Sequence, residues 1–167
     1  MAIIDFRGEY RWLSNFSEAE VVLVPGPQRG IGHQGVDGYK TYKTTEHAYQ
    51  AAKTLNPEER REIREAKTPG KARRLGQKVK IRDDWEEIKL SVMEALLEQK
   101  FDIPEYRDLL LGTENHHLVE GNTWGDVFWG VCNGFGENYL GRLLMKIRRD
   151  LRKRNSEDSS EQDLFDG

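Results

Sequence analysis

The stretch YKTTEHAYQAAK, residues 42–53, passes from threonine and tyrosine into an alanine-rich run. Alanine is the strongest helix former, and Thr44 or Thr45 supplies the oxygen that an N-terminus needs, so a helix is predicted from about residue 46 to 55. On it Glu46, Gln50 and Lys53 stand at i, i+4 and i+7. They therefore share a face about 60° wide, with Ala48, Ala51, Ala52 and Leu55 opposite. Two readings follow. The polar face is a solvated stripe in which Glu46 favours the positive helix start, or it is a working surface flanked by Tyr42 and Tyr49. His47 has no second histidine at metal-ligand spacing and reads as a packing residue. His116 and His117 point to opposite sides of any extended segment and form no chelate.

Outward from this stretch the chain alternates short strands and helices. IIDF (3–6) and EVVLV (20–24) read as strands, and RGEYRWLSNFSEA between them as an ordered loop pinned by Trp12, Leu13 and Phe16. Residues 25–38, PGPQRGIGHQGVDG, form a glycine-rich loop whose GIG lacks the strand-to-helix setting of a dinucleotide fingerprint. Asn56, Pro57 and Glu59 start a second helix, and Thr68 caps a third over TPGKARRLG. Asp83 and Glu86 open a fourth, whose Trp85, Ile88, Val92, Met93, Leu96 and Leu97 recur at spacings of three and four and mark core. A last helix runs from about Asn138 with Leu140, Leu143, Leu144, Ile147 and Leu151 on one face. Residues 117–141, rich in glycine and tryptophan, predict strands and tight turns.

Helices and short strands are expected to make up a single domain over residues 1–153. The basic run KIRRDLRKR (146–154) reads as a last helix turn complementing the helix dipole. An acidic, disordered tail is expected over 154–167.

A chain of 167 residues fits one compact domain, and its net charge of −3 argues against general coating of duplex DNA. No apolar run approaches the ~20 residues of a membrane span, and no leader segment is read at the N-terminus, so the expected location is cytoplasmic. Cys132 is the single cysteine, which excludes an internal disulfide and a cysteine-based zinc site. It reads as a small packing residue rather than a nucleophile.

A second concentration of polar groups lies in NTWGDVFWGVCNGFGENYLG, residues 122–141. Asp126 stands between Trp124 and Trp129 with Gly125 and Gly130 beside it, a setting in which a carboxylate approaches a ligand with little obstruction. The alternative is an aspartate that shapes a glycine turn. GFGEN, with Gly136 and Asn138, leads into the last helix, where free amides would hold a phosphate.

Taken in order, LSNF (13–16), TTEHAYQAAK (44–53), VMEALLEQKF (92–101), LVEGNTWGDVFWG (118–130) and GFGENYLGRLLMKIR (134–148) resemble the NADAR family over about residues 5–150. The resemblance implies an α+β, mainly helical fold with a small β-sheet, and N-glycosidase activity with no metal or cofactor. The substrates it implies are phosphorylated ribosylamino-pyrimidines of the early riboflavin pathway, or ADP-ribose carried on guanine, the latter with contact to ADP-ribosylated nucleic acid.

Cleaving a ribosyl C–N bond puts positive charge on the anomeric carbon, so a fixed carboxylate lowers the barrier while a donor assists the departing nitrogen. Glu46 and Asp126 are the candidate carboxylates, with Lys53 a third catalytic candidate or a phosphate contact. Ser14, Asn15, Phe16, Tyr42 and Gln50 are expected to hold the sugar or the base edge. Trp85, Trp124 or Trp129 would stack on the base, and Gly136 and Asn138 would serve the phosphate. The expectation is one pocket lined by the loop at Asn15, the helix start at Glu46 and the turn at Asp126. A non-catalytic ADP-ribose-binding module would use the same residues without turnover, but two carboxylates near an anionic ligand would work against it. A nucleic-acid adaptor would need a continuous basic surface, for which only 146–154 qualifies.

Overall fold

The computed structural model describes residues 1–23 and 39–165, with side chains of the final helix described to residue 157. The glycine-rich loop predicted over 25–38 lies outside the described residues. The architecture is α+β and mainly helical, as expected, but its strands form three separate two-stranded pairs among the described residues rather than one small sheet. By packing, the chain divides into two compact units, residues 15–100 and residues 1–14 with 101–167.

In the unit of residues 15–100, β2 (Glu18–Leu23) pairs antiparallel with β3 (Lys40–Thr44), Val21 standing opposite Tyr42. Alternation buries Ala19, Val21 and Leu23 on one side of β2. The free edge at Val22 is closed by a side chain: Gln99 accepts from Val22 N at 2.7 Å and donates to Val22 O at 2.9 Å, as a further strand would. Strand β3 carries no marked alternation of its own, and the sequence pattern did not separate it from the helix that follows.

Helix α1 (Thr45–Ala52) is capped by Thr44, whose hydroxyl accepts from His47 N at 3.1 Å. Helix α2 (Pro57–Glu65) is capped by Asn56 and α3 (Pro69–Gly76) by Thr68, both as predicted, with proline at the first helical position each time. Helix α4 (Trp85–Asp102) buries Trp85, Met93, Leu96 and Leu97, while Ile88 and Val92 lie half-buried at the margin of the stripe. Lys100, near its end, is wholly buried and donates to the Ser17 hydroxyl at 2.6 Å.

In the other unit, β1 (Ala2–Ile3) pairs in parallel with β4 (His117–Leu118), and β5 (Gly121–Asn122) with β6 (Val131–Cys132). The expected aromatic loop is a 3-10 helix over Gly8–Leu13, with Leu13 buried and the Trp12 ring edge-on to Phe101 at 6.3 Å. A helix absent from the sequence reading, α5 (Pro104–Gly112), starts on a proline without a capping side chain.

Helix α6 (Tyr139–Phe165) buries Leu140, Leu144, Ile147 and Leu151, with Leu143 half-buried. It continues past 154, so the segment expected to be a disordered tail is helical to Phe165. After Gly141 in its first turn, no glycine or proline occurs before Gly167. The basic run therefore sits mid-helix and does not complement a C-terminal dipole. It braces the preceding turns instead: Arg148 donates to the Thr113 hydroxyl at 2.6 Å and to His116 O at 2.9 Å, and Arg152 donates to Asn115 Oδ1 and Glu114 O.

Candidate active site

The polar face of α1 is not a solvated stripe. Every residue of α1 is buried, Glu46 at 7% exposure and Gln50 at 4%. Burying a carboxylate away from water is costly unless it is hydrogen-bonded, and here the Gln50 amide donates to Glu46 Oε1 at 2.8 Å. Glu46 N in turn donates to Asn15 O at 3.1 Å, so the LSNF loop is tied to the first turn of α1. Asn15 Nδ2 rests on Met93 Sδ at 3.5 Å. Two acceptors beside this carboxylate, Asn15 Oδ1 and Gln50 Oε1, are buried without a hydrogen-bond partner. Gln50 Oε1 lies against Gly76 of α3, whereas Asn15 Oδ1 suits a site that receives a hydroxyl or amine donor.

Lys53 lies one turn beyond Gln50, half-buried, its ammonium 5.5 Å from the centre of the Tyr49 ring. Burial lowers the Lys53 pKa below that of an ordinary lysine; the Glu46 carboxylate opposes this and the Arg73 guanidinium reinforces it. The Tyr49 ring is backed by Trp85 at 5.1 Å in a tilted arrangement. Trp85 is itself buried, so it supports Tyr49 rather than offering a free stacking face as expected from sequence. Tyr42 is likewise buried, on β3. Phe16 is half-buried at the start of this unit, and Ser14 closes the 3-10 helix by donating its amide to Arg11 O.

His47 shows why the helix start is rigid. Its Nε2 faces Ala66 O at 3.1 Å and its Nδ1 faces the Thr44 hydroxyl at 2.7 Å. A carbonyl only accepts, so Nε2 donates and Nδ1 accepts from Thr44. Burial holds the pKa of His47 below its usual value, which keeps this neutral tautomer; the Ala66 bond opposes that effect and Lys43 adds to it.

The second polar concentration belongs to the other unit. Asp126 Oδ1 accepts from Phe128 N at 3.1 Å and Trp129 N at 2.9 Å, while its main chain exchanges two bonds with the Asn122 amide. That is an aspartate shaping a turn. Trp124 is 52% exposed with the Arg7 guanidinium 5.9 Å from its ring centre, and Trp129 packs edge-on to Phe128.

At GFGEN and the helix start that follows, several of the amides expected to hold a phosphate are engaged by the backbone. The amides of Glu137, Asn138, Tyr139 and Leu140 donate to Val127 O, Gly130 O, Phe128 O and Trp129 O, so they are occupied by backbone. Gly136, at φ +150, is required because a Cβ there would lie 2.1 Å from Gly130 O. The Asn138 side chain joins Glu120 N to Leu118 O, which makes it a brace between strands and helix.

The structure thus brings Asn15, Glu46, Gln50, Lys53 and Trp85 together within one unit and leaves Trp124, Asp126, Trp129, Gly136 and Asn138 in the 122–141 segment of the other. The sequence reading did not single out Arg73, whose spacing in TPGKARRLG matches no motif. Its nearness to Lys53 arises only from the packing of α3 against α1.

The family model of the NADAR domain matches residues 5–152, a span that takes in most of both units. The chain belongs to the NADAR family. Among curated proteins it is 44% identical over 120 residues to the N-glycosidase YbiA of Shigella boydii, covering 70% of this chain and 74% of that protein. It is 40% identical over 127 residues to the chloroplastic riboflavin biosynthesis protein PYRR of Zea mays, covering 68% of this chain and 20% of that one. The NMR structure of the Escherichia coli protein YbiA superposes with a TM-score of 0.75 at 35% identity, covering 94% of this chain and 87% of that chain. In this NADAR domain the motif TTEHAYQAAK is therefore the buried, carboxylate-bearing helix start just described.

Proposed function

We propose that the chain is an N-glycosidase that hydrolyses the C–N bond between a phosphorylated ribose and a nitrogen base, with ribosylamino-pyrimidine phosphates as the substrate class. The observation that carries this reading is the buried Glu46 carboxylate, fixed by Gln50 and the Asn15 loop, next to a lysine of lowered pKa. The N-glycosidase relatives support the reaction, and the PYRR relative supports a riboflavin-pathway substrate over ADP-ribosylated nucleic acid.

In this mechanism Glu46 stabilises positive charge developing at the anomeric carbon, and its own burial limits solvent screening of that interaction. Asn15 Oδ1 accepts from a ribose hydroxyl, Gln50 holds Glu46 in place, and Tyr49, backed by Trp85, borders the leaving base. The lowered pKa of Lys53 favours a second, covalent reading. The neutral amine attacks the anomeric carbon of the ring-opened ribosylamine, the base leaves as its amine with the proton given up by Lys53, and the resulting imine is hydrolysed by water to free sugar and lysine.

Incubation with a ribosylamino-pyrimidine phosphate and, separately, with ADP-ribosylated guanosine tests the assignment by the release of free base. Release from the first at a higher kcat/KM is the expected result. Release from neither substrate, in protein that is folded, would overturn it.

A further inference from the structure

Asn56, Asn122 and Asn138 show how an asparagine braces this fold. Their side-chain oxygens accept from Glu58 N at 2.9 Å, Asp126 N at 3.1 Å and Glu120 N at 3.0 Å, and each bond orders backbone. Asn15 departs from that pattern. Its Nδ2 meets a weak acceptor, Met93 Sδ at 3.5 Å, and its Oδ1 is buried with no hydrogen-bond partner among the described residues. Turning the amide over gives no remedy, because the carbonyl would then face the sulfur, acceptor against acceptor. The main chain holds the residue in place, since Asn15 O accepts from Glu46 N at 3.1 Å in the first turn of α1. A buried acceptor left unpaired weakens the fold, and it persists where a ligand supplies the donor.

We propose that Asn15 is a specificity-determining residue: its Oδ1 accepts from the hydroxyl on the carbon next to the anomeric one, so that the site selects ribosides over 2′-deoxyribosides. A carbonyl beside a carboxylate calls for a donor, which excludes a phosphate oxygen or a carbonyl of the base. With Glu46 serving the anomeric carbon, two donors of the substrate lie nearest, the linking nitrogen and the 2′-hydroxyl. An acceptor on the linking nitrogen would oppose its departure, which needs a proton donor, so the hydroxyl is the partner. There the bond does more than bind. Hydrogen bonds to the 2-hydroxyl strengthen as positive charge develops on the sugar in O-glycoside cleavage, and the same charge develops here. The inference rests on the N-glycosidase reading of Glu46 and adds to it the sugar that the site takes.

The test compares wild type, Asn15→Ala and Asn15→Asp on a ribosylamino-pyrimidine 5′-phosphate and on its 2′-deoxy counterpart, with melting temperatures alongside. Loss of the hydroxyl itself eases ionisation of the sugar, so the readout is the change in preference from one protein to the next. Asn15→Ala is expected to lower kcat/KM on the riboside by roughly 30-fold or more, in kcat as well as KM, and on the deoxyriboside by no more than about threefold. Asn15→Asp keeps an acceptor and should keep most of the preference. A merely structural asparagine would affect both sugars alike. An equal fall on both substrates, or no fall on either, overturns the assignment while leaving the N-glycosidase reading intact.

If wild type cleaves neither substrate, calorimetry with ribose 5-phosphate and 2-deoxyribose 5-phosphate decides. Tighter binding of the ribose compound by wild type, lost in Asn15→Ala, keeps the assignment while the N-glycosidase reading falls. Equal binding of the two sugars by wild type, or binding of neither, overturns the assignment as well.

Discussion

Glu46→Gln removes the charge from the candidate site and keeps its shape. The glutamine carbonyl still accepts from the Gln50 amide, a neutral bond worth about 1 kcal/mol, so the packing of α1 is retained. Loss of a carboxylate from the first turn forfeits about 0.3–1 kcal/mol of helix-dipole interaction, and relief of burying a charge offsets it. The melting temperature should therefore move by only a few degrees. Catalysis should respond differently, because a fixed charge at 7% exposure acts on the developing cation with little screening. Loss of one such preorganised group lowers kcat by about 100-fold or more, equivalent to about 2.7 kcal/mol.

A second signature comes from Lys53, whose pKa the Glu46 carboxylate raises. Without that carboxylate the lysine deprotonates at lower pH, and any limb of the kcat profile that reports neutral Lys53 shifts to lower pH. The assay is base release under saturating substrate across pH, with thermal unfolding measured on the same samples. Near-normal kcat in Glu46→Gln, together with a large fall in melting temperature, would refute the reasoning and return Glu46 to a purely structural role.

For the covalent route, borohydride added during turnover should leave a mass increase equal to the sugar on the peptide containing Lys53. No adduct, with turnover retained in Lys53→Arg, rules that route out. Asp126→Asn should destabilise the protein by about 1–2 kcal/mol, because Oδ1 holds two turn amides, and a fall in kcat at unchanged melting temperature would show that its carboxylate acts in the chemistry. Gly76→Ala places a methyl on Gln50 and is expected to cost about 1–3 kcal/mol while displacing the amide that holds Glu46, read by unfolding and by kcat together. Lys100 has its pKa pushed down to about 7 by burial. Between that value and the ordinary lysine range the unfolded chain holds a proton that the folded chain lacks, so stability should rise as pH increases from about 7 to 10. Chemical denaturation of wild type and Lys100→Met across that range checks this, and the variant should show a flatter dependence.

The parts of the fold that were legible in the sequence are those whose signals are local. Asn56, Thr68 and the prolines after them announce α2 and α3, because orphan amides at a helix start are satisfied by residues within three positions. The spacing in α4 and α6 is equally plain, since one face of each is core. Strand β3 and helix α5 were missed for the converse reason. Lys40–Thr44 gains its strand character from pairing with β2, and α5 starts without a capping side chain.

The site divides along the same line. A spacing of four and seven puts Glu46, Gln50 and Lys53 on one face whatever surrounds them, so their grouping needed no structure. Whether that face meets water is a tertiary fact, settled by α2, α3, β2 and β3, which pack against α1. The glycine turn at 122–141 was harder to read for a related reason. Glycines there do allow close approach, but what approaches is the chain itself: carbonyls of 127–130 take the amides of 137–140 that a phosphate would have used. A glycine-rich turn becomes an anion site only when its amides point outward, and composition does not fix that direction. Gly76 completes the contrast. It lets α3 close on Gln50, the residue that holds Glu46, and no local spacing in TPGKARRLG announces a contact made with another helix.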